Sequence, residues 1–270
     1  MAKKRLIFTL LYDSGSFMLS RNFRLQKVGD IDWLEKNYGF SNVGFSIDEL
    51  IVLDVSRNPR SSDEFCNVLK TLTNDCFAPI AAGGGINSVA DATKLLRSGA
   101  DKIVVNSALH SNKQLVSELA QEFGRQCIIA SVDCKQIESD FYIATNNGSN
   151  LTDLTLTNFL KQCSDLAIGE ICINSIDRDG TGNGFQIELL DCLPKLFEIP
   201  VIISGGVGNF SHLAEGLEDA RVDAVATANL LNFMGDGLGS ARSQLVSLGI
   251  DLPIFDSHQT TNQTINKKLQ

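Results

Sequence analysis

A carboxylate at the end of a buried strand is a chemical signal, and this sequence has one at Asp133. The run IIASVDCK, residues 128–135, is apolar up to that acid. A carboxyl held where water is scarce has a raised pKa, as a general acid or base requires. The alternative is an acid that caps a neighbouring helix or loop. Two glycine turns, GGGI at 83–86 and GGVG at 205–208, give a second signal. Backbone N–H groups at such turns, with a helix N-terminus behind them, can approach an anion closely. A tight strand-to-helix turn uses the same residues. Two copies in opposite halves of the chain fit a substrate with a phosphate at each end. The loop DRDGTG, 177–182, offers Asp177, Asp179, Gly180 and Thr181 for substrate positioning, or else forms an Asx-type turn. It lacks the spacing and terminal Glu of a calcium loop.

These groups need elements to hold them. Apolar runs recur at 5–11, 49–55, 79–83, 101–107, 126–133, 170–177, 200–206 and 223–229. They lack strict alternation, as expected of parallel strands covered on both faces. Segments with helical spacing lie between most of them: 61–75 opens on capping candidates, and 88–99 and 111–124 end at glycines. Eight strand–helix alternations at this length predict an α/β fold, a (β/α)8 barrel. A doubly wound open sheet is the rival, weakened because no G-x-G-x-x-G follows the first strand. GGGI and GGVG are 122 residues apart, as are VVNSAL (104–109) and ATANLL (226–231), and as are Leu11 and Asp133. That constant offset predicts a duplicated half-barrel. It also exposes an asymmetry: where one half has Asp133, the other has Leu11, in the stretch LIFTLLYDSG (6–15).

In such a barrel the site lies at the C-terminal strand ends. The candidates there are Asp54, Gly84, Gly85, Asn106, Ser107, Asp133, Asp177, Asp179, Gly180, Thr181, Ser204, Gly205, Gly206, Ala228 and Asn229.

Composition narrows the partners. The 270 residues are 43% hydrophobic with 5 Pro, enough for a large core in one barrel over 1–252. The polar tail, 253–270, is expected to be poorly ordered from 257 onward. A net charge of -9 argues against a nucleic-acid partner. The 7 Cys include no C-x-x-C pair, which favours reduced thiols in a cytoplasmic protein over disulfides or zinc. His110, His212 and His258 are too dispersed for a metal site or triad, so no metal or cofactor is expected. MAKKR leads into a strand too short for a signal peptide or membrane span.

Together, DELIVLD (48–54), GGGI, GADKIVVNS (99–107), VDCK (132–135), GEICINSIDRDGTGNG (169–184) and SGGVG (204–208) make the chain resemble the cyclase subunit of imidazole glycerol phosphate synthase, from about Arg5 to residue 250. The resemblance implies a lyase whose glutaminase partner releases ammonia into the barrel bottom. The ammonia crosses the core and reacts with a two-phosphate ribulosyl-formimino substrate. It implies acid/base aspartates at the ends of the first and fifth barrel strands. The second matches Asp133 and the first falls on Leu11. A lysine of the first loop falls on Leu19. Asn147, Asn174 and Asn229 stand where the family more often has Ser or Thr. A gate of Arg, Glu, Lys and Glu matches Arg5, Glu49, Lys102 and Glu170, and an interface acid matches Asp101. Taken alone, each of these charges reads as a solvated residue at a strand start.

Three functions follow from that pattern. One is a diverged subunit that conducts ammonia to another acceptor, such as an amidino sugar of surface polysaccharide synthesis. The second is a histidine-pathway cyclase in which Asp13, on the same strand face as position 11, replaces the lost acid. The third is a non-catalytic scaffold that activates its glutaminase. A phosphoribosyl sugar isomerase is a fourth, and Leu11 counts against it.

Overall fold

A computed structural model describes residues 3–39, 43–57 and 60–255, with Ser164 described by its backbone only. In chain order the elements are β1 (Arg5–Asp13), β2 (Ser16–Arg21), β3 (Arg24–Gly29), α1 (Ile31–Tyr38), β4 (Glu49–Asp54), α2 (Ser62–Asp75), β5 (Ile80–Gly83), α3 (Val89–Arg97), β6 (Lys102–Val105), α4 (Ala108–Ser111), α5 (Lys113–Phe123), β7 (Ile128–Ile137), β8 (Asp140–Thr145), β9 (Asn150–Thr155), α6 (Leu156–Gln162), β10 (Glu170–Ser175), β11 (Val201–Ser204), α7 (Phe210–Glu218), β12 (Ala224–Thr227) and α8 (Gly237–Ser247). The helices begin at side-chain caps where the sequence offers them. Ser61, Ser88 and Asn112 accept from the backbone N–H of Glu64, Asp91 and Leu115, satisfying donors that a helix start leaves unpaired.

The strands β1, β4, β5, β6, β7, β10, β11 and β12 pair in parallel in that order, and β12 returns to β1. The closed (β/α)8 barrel expected from the sequence is therefore present. One alternation differs from expectation: β10 is followed by a short 3-10 turn, Ile187–Cys192, in place of an α-helix. The barrel strands of the two halves start 121–123 residues apart along the chain: β1 and β7 at 5 and 128, β4 and β10 at 49 and 170, β5 and β11 at 80 and 201, β6 and β12 at 102 and 224.

Inside the barrel, Ile7, Ile51, Ala81, Val104, Ile129, Cys172, Ile202, Ala224 and Ala226 form one apolar cluster. A larger cluster fills the layer between strands and helices. Burying each large aliphatic side chain contributes roughly 1.5–3 kcal/mol, so the two clusters fix the barrel wall from both sides.

Two features were not foreseen. β1 runs past the barrel into an antiparallel hairpin with β2, which pairs with β3, and β7 does the same with β8 and β9. These paired extensions stand over the mouth. Among the described residues no helix is long and apolar enough to cross a membrane. No group of three or more metal-ligating side chains is present there either. All seven thiols are free. The segment predicted as poorly ordered, 257–270, lies outside the described residues.

Candidate active site and barrel gate

β7 carries Asp133 to the inner face of the mouth. Strand alternation sets this placement: Ile129 belongs to the interior cluster and Ser131 and Asp133 line the cavity above it. Asp133 is buried. Asn106 Nδ2 donates to Oδ2 at 2.7 Å, and Asn174 Nδ2 donates to Oδ1 at 3.0 Å. Burial pushes its pKa up to about 6, against the lowering effect of the two amides and with a small further rise from Asp179. A carboxyl near this value can take or give a proton close to neutrality.

Leu11 lines the same cavity, about 500 Å³ in volume, with Thr9, Leu53, Cys172 and Asn174. The position opposite Asp133 is thus hydrocarbon in space as well as in sequence. Asp13 is not brought to the site. It sits at the β1–β2 turn, where it pairs with Ser16, accepts from Ser14 Oγ at 2.8 Å, and borders neither this cavity nor the two beside it. The hairpin explains this: β1 rises out of the barrel beyond Leu11, so its next inward-facing register lies above the cavity.

The glycine turns border two adjoining cavities. Gly84 and Gly85 line the first with Asp54, Asn106 and Ser107. Gly205 and Gly206 line a second, of about 320 Å³, with Gly180, Thr181 and Asn229. Ser20, Asp179, Ser204 and Ala228 border both. Both turns need glycine for packing whatever binds there. A Cβ at Gly84 would lie 2.3 Å from the Asp54 carbonyl oxygen, and one at Gly206 2.0 Å from that of Gly184. Several polar candidates also serve the backbone. The Asp54 carboxylate accepts from Ser56 N, Asn229 Nδ2 donates to Val207 O, and Thr181 Oγ1 donates to Arg178 O. Asp177 does not join Asp133. It accepts from Gln136 N at 2.7 Å and faces a third groove.

Asp179 has a part the sequence did not show. Its carboxylate accepts from Ser20 Oγ and from Phe23 N at 3.0 Å, while its carbonyl accepts from Asn22 N. It therefore clamps the β2–β3 hairpin across the mouth. Burial pushes its pKa up against these two donors. Leu19, on β2, lines the second cavity. Arg57 and Arg60 line the first cavity, and Arg21 and Arg24 the second. Sequence reasoning missed these four. The only local signal was their position just beyond strand ends or in the first loop.

At the opposite end Arg5, Glu49, Lys102 and Glu170 meet. Arg5 lies 3.0 Å from Glu49 and 2.6 Å from Glu170, and Lys102 lies 3.1 Å from Glu49 and 2.6 Å from Glu170. The result is a closed ring of alternating sign below the apolar cluster. Burial raises the Glu49 pKa more than Lys102 and Arg5 offset. For Glu170 burial is outweighed by the hydrogen bonds and charges of Arg5 and Lys102, which hold it below the usual carboxylate range. Asp101 is occupied: it accepts from Ile80 N at 2.8 Å, as Asp223 in the other half accepts from Val201 N.

Comparison with known proteins settles the family. The histidine biosynthesis protein family matches residues 40–235. The chain belongs to that family. A relative from Parasynechococcus marenigrum (strain WH8102), provisionally named imidazole glycerol phosphate synthase subunit hisF2, is 43% identical over 244 residues. The match covers 90% of this chain and 91% of the relative. The barrel is therefore a cyclase-type member of the histidine biosynthesis family.

Proposed function

We propose that this barrel is the synthase subunit of a glutamine amidotransferase. It takes ammonia from a glutaminase docked at the gate face and delivers it, through the barrel, to a phosphorylated acceptor at the mouth. That acceptor differs from the ribulosyl-formimino substrate; an amidino-sugar precursor of surface polysaccharide fits. The observation that carries this reading is the contrast between the two ends. The ring of Arg5, Glu49, Lys102 and Glu170 is complete, while Leu11 faces Asp133 without a second acid.

Physical chemistry supports each step. The interior is apolar, so neutral ammonia can enter it whereas ammonium would have to shed its hydration. Asp133 supplies one proton-transfer group. The absent one is worth roughly 10²–10⁴ in rate, and Asp13 is placed away from the cavity. Gly84, Gly85, Asn106 and Ser107 would hold one phosphate; Ser204, Gly205, Gly206, Ala228 and Asn229 the other. A pure scaffold gives no reason to keep a carboxylate buried against two amides, where ionising it costs stability. The chain would act in the cytoplasm as one domain, residues 1–252, paired with its glutaminase.

Co-expression with the cognate glutaminase and size-exclusion chromatography at micromolar concentration tests the reading. One co-eluting peak is expected, with glutamine hydrolysis that changes when Asp133→Asn is introduced. Two separate peaks contradict it.

A further inference from the structure

A third groove, of about 950 Å³, opens outside the mouth between the β2–β3 hairpin and the β8–β9 turn. It touches neither glycine turn nor Asp133. Its walls carry Arg21, Arg24, Arg57 and Lys135, all exposed, and one carboxylate, Asp177, which is already held by Gln136 N. Among the described residues none of these four cations forms an ion pair. Lys27, Lys70, Arg97 and Lys161 are likewise unpaired there, so the distinguishing feature is that four such cations border one groove. In a chain of net charge -9, four unpaired cations converging on one groove make a local field of the opposite sign, the setting that attracts an anion.

The groove is continuous with the site. It shares Phe23, Arg57 and Asn147 with the first cavity and Arg21, Arg24 and Gln26 with the second. The hairpin tip is also held firmly. Asn22 and Phe23 both have positive φ, 48° and 62°, a costly conformation for a bulky aromatic. The tip is fixed there by Asp179 on the Phe23 N–H and by Arg57 Nη2 on the Phe23 carbonyl at 2.7 Å. Arg21 and Arg24 flank this tip as a cross-strand pair, a repulsive arrangement unless an anion lies between or beside them.

We infer that this groove is a third anion subsite. The mouth then takes an organic phosphate bearing a diphosphate or an equally extended polyanion, in preference to one whose charge ends at the two glycine turns. The inference rests on the phosphate-binding reading of the mouth given above.

Calorimetric titration of the full chain with inorganic phosphate and with tripolyphosphate tests it, with backbone amide shifts of Gly84, Gly85, Gly205 and Gly206 recorded in parallel. The variants are Lys135→Glu and Ser149→Glu, which border only this groove, and Lys195→Glu, an exposed lysine that borders none of the three cavities. Tripolyphosphate is expected to bind at least about tenfold tighter than phosphate. Both groove variants should remove about tenfold of that affinity, leave phosphate affinity within about twofold, and exceed the effect of Lys195→Glu. No preference in the wild type, or equal losses in all three variants, overturns the third subsite. Absence of glycine amide shifts with phosphate overturns the phosphate reading of the mouth instead, so the two failures are distinct.

Discussion

Among single residues, Asp133 is the one whose surroundings point to proton transfer. Its pKa is raised to about 6 by burial, above an unfolded value of about 3.9. The folded state therefore binds this proton more tightly than the unfolded chain. The cost of ionising the buried group is absent below the unfolded pKa, grows as pH rises between the two values, and is complete above the folded one. Asp133→Asn should accordingly be more stable than wild type at pH 7.5, by about 1 kcal/mol once the donor–donor conflict with Asn106 or Asn174 is subtracted. Near pH 4, where the wild-type carboxyl is protonated, the gain should turn into a loss of about 1–2 kcal/mol, because only the amide conflict remains. Parallel urea unfolding at the two pH values measures it; a difference that does not change with pH contradicts the raised pKa. Any reaction using the ionised carboxylate as base should lose rate as pH falls through about 6. Asp133 was legible in the sequence because a strand that stays apolar up to an acid is a local pattern. Asn174 was not legible as its partner. That contact depends on the register of β10 against β7, which sets Asn174 beside Asp133 and leaves no local trace.

At the scale of elements, the β2–β3 hairpin is the least expected part. Its strands are short and its two-residue turn is Asn22–Phe23, without the glycine that marks such turns. Tertiary contacts impose it: Asp179 holds Ser20 and Phe23, and a Cβ at Gly180 would lie 2.0 Å from the Ser20 carbonyl oxygen. Asp179→Ala should free the tip while sparing the barrel. Amide exchange over residues 16–29 should quicken by about tenfold or more, given roughly 1.5–3 kcal/mol for hydrogen bonds to a charged group. The interior strands should keep their protection. Unchanged exchange in the hairpin would show that the clamp carries little. The barrel strands were legible because parallel strands covered on both faces read as apolar runs. The missing helix after β10 was not, since Ile187–Cys192 has apolar residues at spacings that a 3-10 turn and a short α-helix share.

At the scale of the whole molecule, the two ends of the barrel follow different constraints. The ring of Arg5, Glu49, Lys102 and Glu170 couples four strands through partly buried charges, so removing one charge leaves others unpaired. Arg5→Met should strand Glu49 and Glu170 with Lys102 alone and cost about 2–3 kcal/mol, less than for a fully buried pair because Arg5 is partly exposed. Thermal unfolding should shift down by roughly 4–10 °C. A shift under about 1 °C would mean the ring adds nothing to the fold. The ring was only partly legible. Each charge alone reads as a solvated strand start, and barrel closure is what brings residues 5, 49, 102 and 170 together.

The contrast that matters most is a closed charge ring at one end of the barrel against Asp133 facing Leu11 at the other. It is tested most directly by turnover of the ribulosyl-formimino substrate by the isolated chain supplied with ammonium salt. A rate at least about 10²-fold below that of a cyclase with both acids is expected. Leu11→Asp should recover part of it, limited by Leu19, and Asp133→Asn should remove what remains. A wild-type rate of about 1–10 s⁻¹, ordinary for an enzyme, would contradict the account and establish a full cyclase.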